Sequence, residues 1–340
     1  MVWEGYAPEP LRYKFKQQIL EKYNCKLTFD VVYAESSEQY FPLVRKKDVD
    51  LVSLTHHHFK DDRFNYIFNK MLIPVDTSKI HHYEGVMSHL RNSPVIRNKE
   101  KVFGIPICQG LYALTYNANK FSTIPTSWKV LWEEEYKEQY VIGGSEFLYN
   151  ICTVALAMGY PRESISKFDK LNNDIFKQQL RLYVKNAARY WIGQDKAKDL
   201  RGMKLSVGWG DGLYTLREEG ENWQFANPKE GCVSWFDSIA LTWSLRDQPF
   251  KQQIAYEWID FLLEPEFQVE YIIRDISQRP VVTTINSYLT KEEINKMKID
   301  DPDFFRENYI LLPNFSKRDR NGFSLLWNGA IKGIEIREIK

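Results

Sequence analysis

Two short stretches each place a tryptophan close to an aspartate at the end of an apolar segment. Trp209 and Asp211 follow a β-like run in VGWGDG, and Trp235 and Asp237 precede another in VSWFDSIALT. The face of an indole ring attracts a cation, and a carboxylate adds a full opposite charge. Residues of these types suit a site for a small organic cation.

Enzymatic signatures are missing from the sequence. It contains no GxSxG, P-loop, HExxH or strand-associated GxGxxG pattern. Glu4, Asp211 and Asp237 could supply a glycosidase-like acid pair, but that chemistry requires one acid held in its protonated form. We therefore expect a binding protein without a cofactor rather than an enzyme.

The run His56-His57-His58 raises a metal-binding alternative. On an extended segment His56 and His58 would point to the same side and could share a metal ion. A complete site needs further ligands, and the sequence offers no second fixed cluster. The simpler interpretation is a polar loop at the edge of a binding site, with His57 as a hydrogen-bonding partner of the ligand.

Length and charge limit the class of protein. A chain of 340 residues exceeds one average domain, so we expect two lobes. The 46 basic and 45 acidic residues nearly cancel, which argues against nucleic acid as a partner. The 20 Tyr, 20 Phe and 10 Trp are unusually many; most of them are expected in the core, but a ligand cavity would also raise their number.

The cysteines and the apolar runs of the sequence do not identify the cellular compartment of the protein. The four cysteines are scattered without metal spacing, and their apolar neighbours favour small buried side chains; they are Cys25, Cys108, Cys152 and Cys232. No apolar run is long enough to span a membrane. The abrupt strand-like start favours a mature form whose targeting segment has been removed.

Short apolar runs alternate with amphipathic stretches, which indicates an α/β fold. Helical periodicity or flanking breakers predict helices at 11–23, 150–158 and 253–263. Apolar or alternating runs predict strands at 26–33, from residue 50, twice within 103–116, at 204–208 and at 238–243.

Most of the chain, from about residue 2 to about residue 285, resembles the bacterial extracellular solute-binding proteins of the spermidine/putrescine type. The matching motifs occur in the family's order. They are Trp3-Glu4-Gly5-Tyr6, Asp50-Leu51-Val52 with Thr55, Ile105-Pro106 with Leu114-Thr115-Tyr116-Asn117, Thr126-Ser127-Trp128-Lys129-Val130-Leu131-Trp132, Gly208-Trp209, Pro228-Lys229-Glu230-Gly231, Trp235-Phe236-Asp237-Ser238 and Phe261-Leu262-Leu263-Glu264-Pro265-Glu266.

The resemblance implies a two-lobed periplasmic-binding-protein fold of type II character, with ligand held in a cleft that closes by a hinge motion. One lobe would comprise residues 1–112 and 237–283, and the other 113–236 and 284–340. The implied role is a monomeric receptor, periplasmic or anchored outside the membrane, that delivers a small amine to the permease of an ABC importer.

The resemblance also assigns roles to the motif residues. Trp3 and Tyr6 would form one wall of an aromatic box, and Glu4 between them would add negative charge. Trp209 with Asp211, and Trp235, would form the other walls. Asp237 would be the main partner of the ligand's amine.

Departures from the polyamine pattern leave the ligand open. Where the family places paired acids before the helix at 150–158, this chain has Glu146 and Tyr149, so one carboxylate is missing. Thr55 and His57 occupy a loop that normally carries hydroxyls and a tyrosine. Arg279 replaces an aromatic residue before a proline and would attract an anionic group.

A zwitterionic amine such as a betaine, amino acid or amino-sulfonate is therefore an alternative to a polyamine. Two further alternatives are the ligand-sensing outer part of a signalling protein and a metal receptor.

Overall fold

The computed structural model describes residues 1–34, 37–297 and 309–334. The strands are β1 Val2–Trp3, β2 Tyr33–Ala34, β3 Leu51–Thr55, β4 Arg97–Asn98, β5 Lys101–Val102, β6 Ile105–Asn117, β7 Tyr140–Gly143, β8 Arg189–Trp191, β9 Leu205–Gly208, β10 Trp223–Phe225, β11 Cys232–Leu241 and β12 Tyr309–Leu311. The α-helices are α1 Glu9–Tyr23, α2 Tyr40–Lys46, α3 Ser88–Arg91, α4 Phe147–Ala157, α5 Phe168–Leu171, α6 Asp174–Asn186, α7 Ala197–Leu200, α8 Leu213–Glu218, α9 Pro249–Leu262, α10 Lys291–Met297 and α11 Lys317–Ile331.

The internal contacts divide the chain into two units. Unit 1 comprises Met1–Gln109 and Phe236–Asp300, and unit 2 comprises Gly110–Trp235 and Asp301–Lys340. Because the chain passes between the units within β6 and β11, each of these strands contributes residues to both.

The α1 helix of unit 1 forms because its apolar residues recur once per turn. Leu11, Phe15 and Ile19 are all buried on one face of this helix. The Phe15 ring packs edge-on against Trp258 of α9, with ring centroids 5.0 Å apart. β3 pairs antiparallel with the second half of β11 and sets the register Asp237↔Thr55.

A mixed sheet forms the centre of unit 2. β9 pairs antiparallel with β6 and parallel with β7, and β7 pairs parallel with β8. The first residues of β11 pair parallel with β12. α4 is apolar almost all round, with Leu148 through Ala157 buried, because it packs inside the unit rather than on its surface.

The unit boundaries differ in detail from the ranges expected from the sequence. The expected crossings fell after residues 112 and 236, whereas the contacts change unit after Gln109 and after Trp235. Residues 284–297, expected with the second lobe, lie in unit 1, where Arg274 forms an ion pair with Glu293. Of that expected range, residues 298–308 and 335–340 lie outside the described residues.

Several predicted elements are confirmed, namely the helices at 11–23, 150–158 and 253–263 and the strands from residue 50, at 204–208 and at 238–243. Two predictions are wrong. The predicted strand at 26–33 is reduced to β2, because its partner β1 offers only two residues for pairing. The two runs within 103–116 form the single strand β6.

Within the described residues, the helices are too short or too polar to cross a bilayer. Cys108, Cys152 and Cys232 are buried as expected, whereas Cys25 is half-buried.

Candidate functional site

Asp237 lies in β11 as a buried carboxylate that is only 4% exposed. Its Oδ2 accepts a hydrogen bond of 2.7 Å from the Tyr6 hydroxyl. Its Oδ1 is also buried and makes no hydrogen bond within the described part of the chain. Burial raises the pKa of Asp237 to about 6, although the hydrogen bond from Tyr6 and the neighbouring Thr55 hydroxyl, which makes no hydrogen bond of good geometry to Oδ1, act in the opposite direction.

A tight turn after β1 brings Tyr6 to this carboxylate. Gly5 has φ +93°, and a Cβ there would lie 2.9 Å from Ile276 Cγ2, so the turn requires glycine. Tyr6 is buried, and burial together with the charge of Asp237 raises its pKa well above the ordinary value. Glu4, within the same turn, is exposed.

Trp3 packs against Tyr40, a residue that no sequence motif indicates. The half-buried Trp3 ring packs edge-on against Tyr40, with centroids 5.2 Å apart. Burial and then the charge of Asp237 raise the pKa of Tyr40 well above its usual value, so this carboxylate acts electrostatically on the Tyr40 phenol. Trp3, Tyr6 and Asp237 are thus connected within unit 1.

The histidine run has a different geometry from the one expected. β3 ends at Thr55, which lies opposite Asp237, and His56–Lys60 forms a 3₁₀-helix instead of an extended segment. In a helix with three residues per turn, His56 and His58 point in different directions, so the arrangement on which the metal alternative depended does not occur. Throughout the described residues there is no group of three or more side chains suited to a metal ion.

The three histidines are instead packed side chains. The His56 ring stacks on Phe236 at 5.1 Å, and the Phe236 N–H donates to His56 Nδ1 at 3.5 Å. The rings of His57 and His58 lie 4.1 Å apart, and both residues are buried. This segment therefore supports the strand that carries Asp237.

In unit 2 the two predicted indoles lie together. Trp209 and Trp235 are both half-buried, and their rings meet edge-on with centroids 5.9 Å apart. The Trp209 ring also contacts Tyr149 at 4.8 Å and Tyr112 at 4.9 Å. Trp209 Nε1 donates to a backbone carbonyl, whereas the buried Nε1 of Trp235 has no acceptor among the described residues.

Glu146 and Tyr149 stand at the start of α4 next to these rings. Ser145 donates a hydrogen bond of 3.0 Å to Glu146 Oε1. Burial, followed by the charge of Glu146, raises the pKa of Tyr112, so the carboxylate lies within electrostatic reach of the ring cluster. Tyr149, which replaces an expected acid, is buried against Trp209.

Asp211 lies half-buried in the turn after β9 and donates its backbone N–H to Asp195 at 3.3 Å. Asp195 is fully buried. Burial, and then the charge of Asp211, raises the pKa of Asp195 well above its usual range, while backbone N–H donors oppose the shift. No local sequence pattern indicates Asp195, because its contacts lie fourteen to sixteen residues away along the chain.

Arg279 is fixed through its backbone. Its N–H and C=O pair with Gln109 at 2.9 and 3.1 Å, and the Gln109 side chain donates to the Pro280 carbonyl at 2.8 Å. The residue is half-buried. An interaction of its guanidinium with a ligand stays a prediction.

The predicted residues thus fall into two groups. The first group lies in unit 1, close to the pairing of β3 with β11, and comprises Trp3, Tyr6, Thr55, His57 and Asp237. In the same unit, Glu4 is exposed in the adjoining turn and Arg279 pairs with Gln109 in a separate β-bridge. The second group lies in unit 2 and comprises Glu146, Trp209, Asp211 and Trp235.

The sequence profile of the bacterial extracellular solute-binding proteins matches residues 46–308. The chain belongs to this family. It is 25% identical over 277 residues to the spermidine/putrescine-binding periplasmic protein of Salmonella typhimurium, covering 79% of this chain and 73% of that relative.

Solved structures confirm the predicted two-lobed type of fold. A protein of Listeria monocytogenes assigned to spermidine/putrescine ABC transport superposes with a TM-score of 0.78 at 17% identity, covering 97% of each chain. The spermidine/putrescine substrate-binding protein of Streptococcus pneumoniae superposes with a TM-score of 0.76 at 15% identity, covering 97% of this chain and 96% of the other.

Proposed function

We propose that this protein is the solute receptor of an ABC importer and that its ligand is a small organic amine. One observation carries the proposal. Asp237 is buried, one of its oxygens is held by Tyr6, and its other oxygen lacks a donor in the described part of the chain. A buried charged acceptor without a donor is costly, and an ammonium group supplies both the donors and the opposite charge.

The ionisation of Asp237 suits this role. With a pKa of about 6, the carboxylate is mostly ionised at neutral pH and available to a cation. The Tyr6 hydroxyl holds the carboxylate in one orientation, which lowers the entropic cost of binding. The relative from Salmonella typhimurium, whose name states that it binds spermidine and putrescine, supports the same class of ligand.

The ring cluster of unit 2 would contact the same kind of ligand through its aromatic faces. Trp209 and Trp235 are half-buried, so part of each ring is accessible. A cation over such a ring contributes about 0.5–2 kcal/mol, and an alkyl chain packs on the same surface. We further propose that the protein acts by binding alone, without a catalytic step, outside the cytoplasmic membrane.

A zwitterionic amine is the second candidate. The carboxylate expected for a distant second amine is replaced by Tyr149, and the buried Nε1 of Trp235 is a donor without an acceptor among the described residues. A ligand with an amine at one end and a carboxylate at the other would satisfy such a donor.

Three four-carbon compounds test both candidates by calorimetry at neutral pH. Putrescine carries two amines, γ-aminobutyrate carries one amine and one carboxylate, and the corresponding diol carries no charge. The first candidate predicts that putrescine binds, as does the longer triamine spermidine, and that the diol does not. Tighter binding of γ-aminobutyrate would select the zwitterion, and equal binding of the diol would refute a charge-based site.

A further inference from the structure

The loop that presents Trp209 is attached to a buried carboxylate elsewhere in unit 2. Asp195 Oδ1 accepts the backbone N–H groups of Trp209 at 3.2 Å, Gly210 at 3.1 Å and Asp211 at 3.3 Å. Its Oδ2 lies 3.0 Å from the Gly210 nitrogen, and its main-chain oxygen accepts the N–H of Gly212 at 2.9 Å. Four consecutive amides of the loop are therefore held by one residue.

The glycines of the loop fit this arrangement. A Cβ on Gly208 would lie 2.5 Å from Asp195 Oδ2, and one on Gly212 would lie 2.8 Å from the Asp195 main-chain oxygen. A side chain at residue 208 would force the carboxylate away from the amides, and one at residue 212 would collide with the backbone of residues 195–197. Successive backbone N–H groups that converge form a concavity for an anion, and here a side chain of the protein itself occupies it.

We propose that Asp195 is a positioning residue for ligand binding, which holds the Trp209–Asp211 loop in the conformation that presents the indole. Asp195 is fully buried and does not touch the ligand; it acts through Trp209. The inference rests on the proposed function, because it assumes that Trp209 contacts the amine ligand.

Two substitutions that keep the branching of the side chain at Cγ separate the hydrogen-bonding role from simple packing. Asp195→Leu removes both acceptor oxygens, whereas Asp195→Asn retains one. Asp199→Leu is the matched control, because Asp199 is a buried aspartate of the same segment whose carboxylate accepts the local N–H of Lys196, at 2.9 Å, and does not hold the Trp209–Asp211 loop.

Hydrogen exchange in the absence of ligand provides the first measurement. We expect exchange of the amides of residues 209–211 to accelerate more than tenfold in Asp195→Leu and to change little in Asp195→Asn and Asp199→Leu. Unchanged exchange in Asp195→Leu would overturn the proposal whether or not the protein binds amines. If that variant does not fold, Gly208→Ala displaces the same carboxylate from the loop side and should also accelerate exchange.

Spermidine affinity provides the second measurement. We expect Asp195→Leu to bind spermidine about tenfold more weakly than wild type, and Asp195→Asn to retain most of the wild-type affinity. In protein that already carries Trp209→Ala, adding Asp195→Leu should cause little further loss of affinity. Losses that simply add would overturn the proposal, because Asp195 would then act independently of Trp209. If wild-type protein binds no amine in the four-carbon series, the proposed function fails, whereas the exchange result still decides whether Asp195 fixes the loop.

Discussion

Replacing Asp237 with asparagine should increase the stability of the unliganded protein while weakening its binding of amines. Burial raises the pKa of this carboxyl from 3.8 to about 6. Each tenfold change in the ionisation constant corresponds to about 1.4 kcal/mol, so keeping the carboxylate ionised in the folded state costs about 3 kcal/mol above pH 6. Asparagine has nearly the same shape and avoids this cost.

The pH dependence gives the prediction its sign. The folded-state pKa of Asp237 lies above the unfolded value. The contribution of this carboxyl to the free energy of unfolding is therefore fully present below pH 3.8, and it is lost as the pH rises through about 6. The stability of Asp237→Asn relative to wild type should therefore increase by about 2 kcal/mol between about pH 4.5 and about pH 7.5. A buried amide without an acceptor adds a cost of about 1–3 kcal/mol, but this cost does not change with pH.

Denaturant unfolding of unliganded protein at several pH values measures the stability, and calorimetry with putrescine measures the affinity. Loss of a buried charge partner should weaken binding by about 2–5 kcal/mol, or at least about 30-fold. Asp50→Asn is the control, because Asp50 pairs with Lys251 at a half-exposed site. A stability difference that does not vary with pH would refute the buried-charge argument, and unchanged affinity would refute the assignment of the ligand's amine to Asp237.

Three further measurements address the same groups. In wild-type protein, putrescine affinity should fall towards tenfold per pH unit below about pH 6, as Asp237 becomes protonated while the amines stay charged; a flat profile between about pH 5 and about pH 7 contradicts this. Tyr6→Phe removes the donor to Oδ2, so the apparent pKa of the binding profile should move above 6 and affinity at neutral pH should fall about tenfold; an unmoved profile would show that the hydrogen bond does not stabilise the carboxylate. Trp235→Phe keeps an aromatic ring but removes Nε1, so it should weaken binding of γ-aminobutyrate and spare putrescine if that donor recognises an acceptor; equal effects on the two would remove support for the zwitterion.

The sequence allowed the acidic and aromatic residues to be named, but not all of their contacts. Trp209 and Trp235 follow or begin apolar strand-like runs, and such runs predict where a side chain leaves the core. Tyr40 and Asp195 were not identified, because their contacts join segments that are distant along the chain. Residue types and local spacing carry no information about such pairs.

The histidine run shows why a local pattern was misleading. The expectation that His56 and His58 share a side assumed that the strand continues beyond Thr55. Pairing of β3 with β11 ends at the Thr55–Asp237 pair, and the chain then turns into a 3₁₀-helix. The end of a strand is determined by how far its partner extends, and a single segment of sequence does not contain that information.

The buried acid also explains how a receptor of this composition would distinguish amines from alcohols. Asp237 is held in a site that disfavours its charge by about 3 kcal/mol, and folding rather than binding supplies the energy for that desolvation. A cation that reaches Oδ1 relieves the unfavourable state, whereas a neutral hydroxyl offers one donor and no charge. The difference in affinity between an amine and an alcohol therefore arises from the desolvated carboxylate of the unliganded protein. This difference should become smaller in Asp237→Asn even if every other contact is retained.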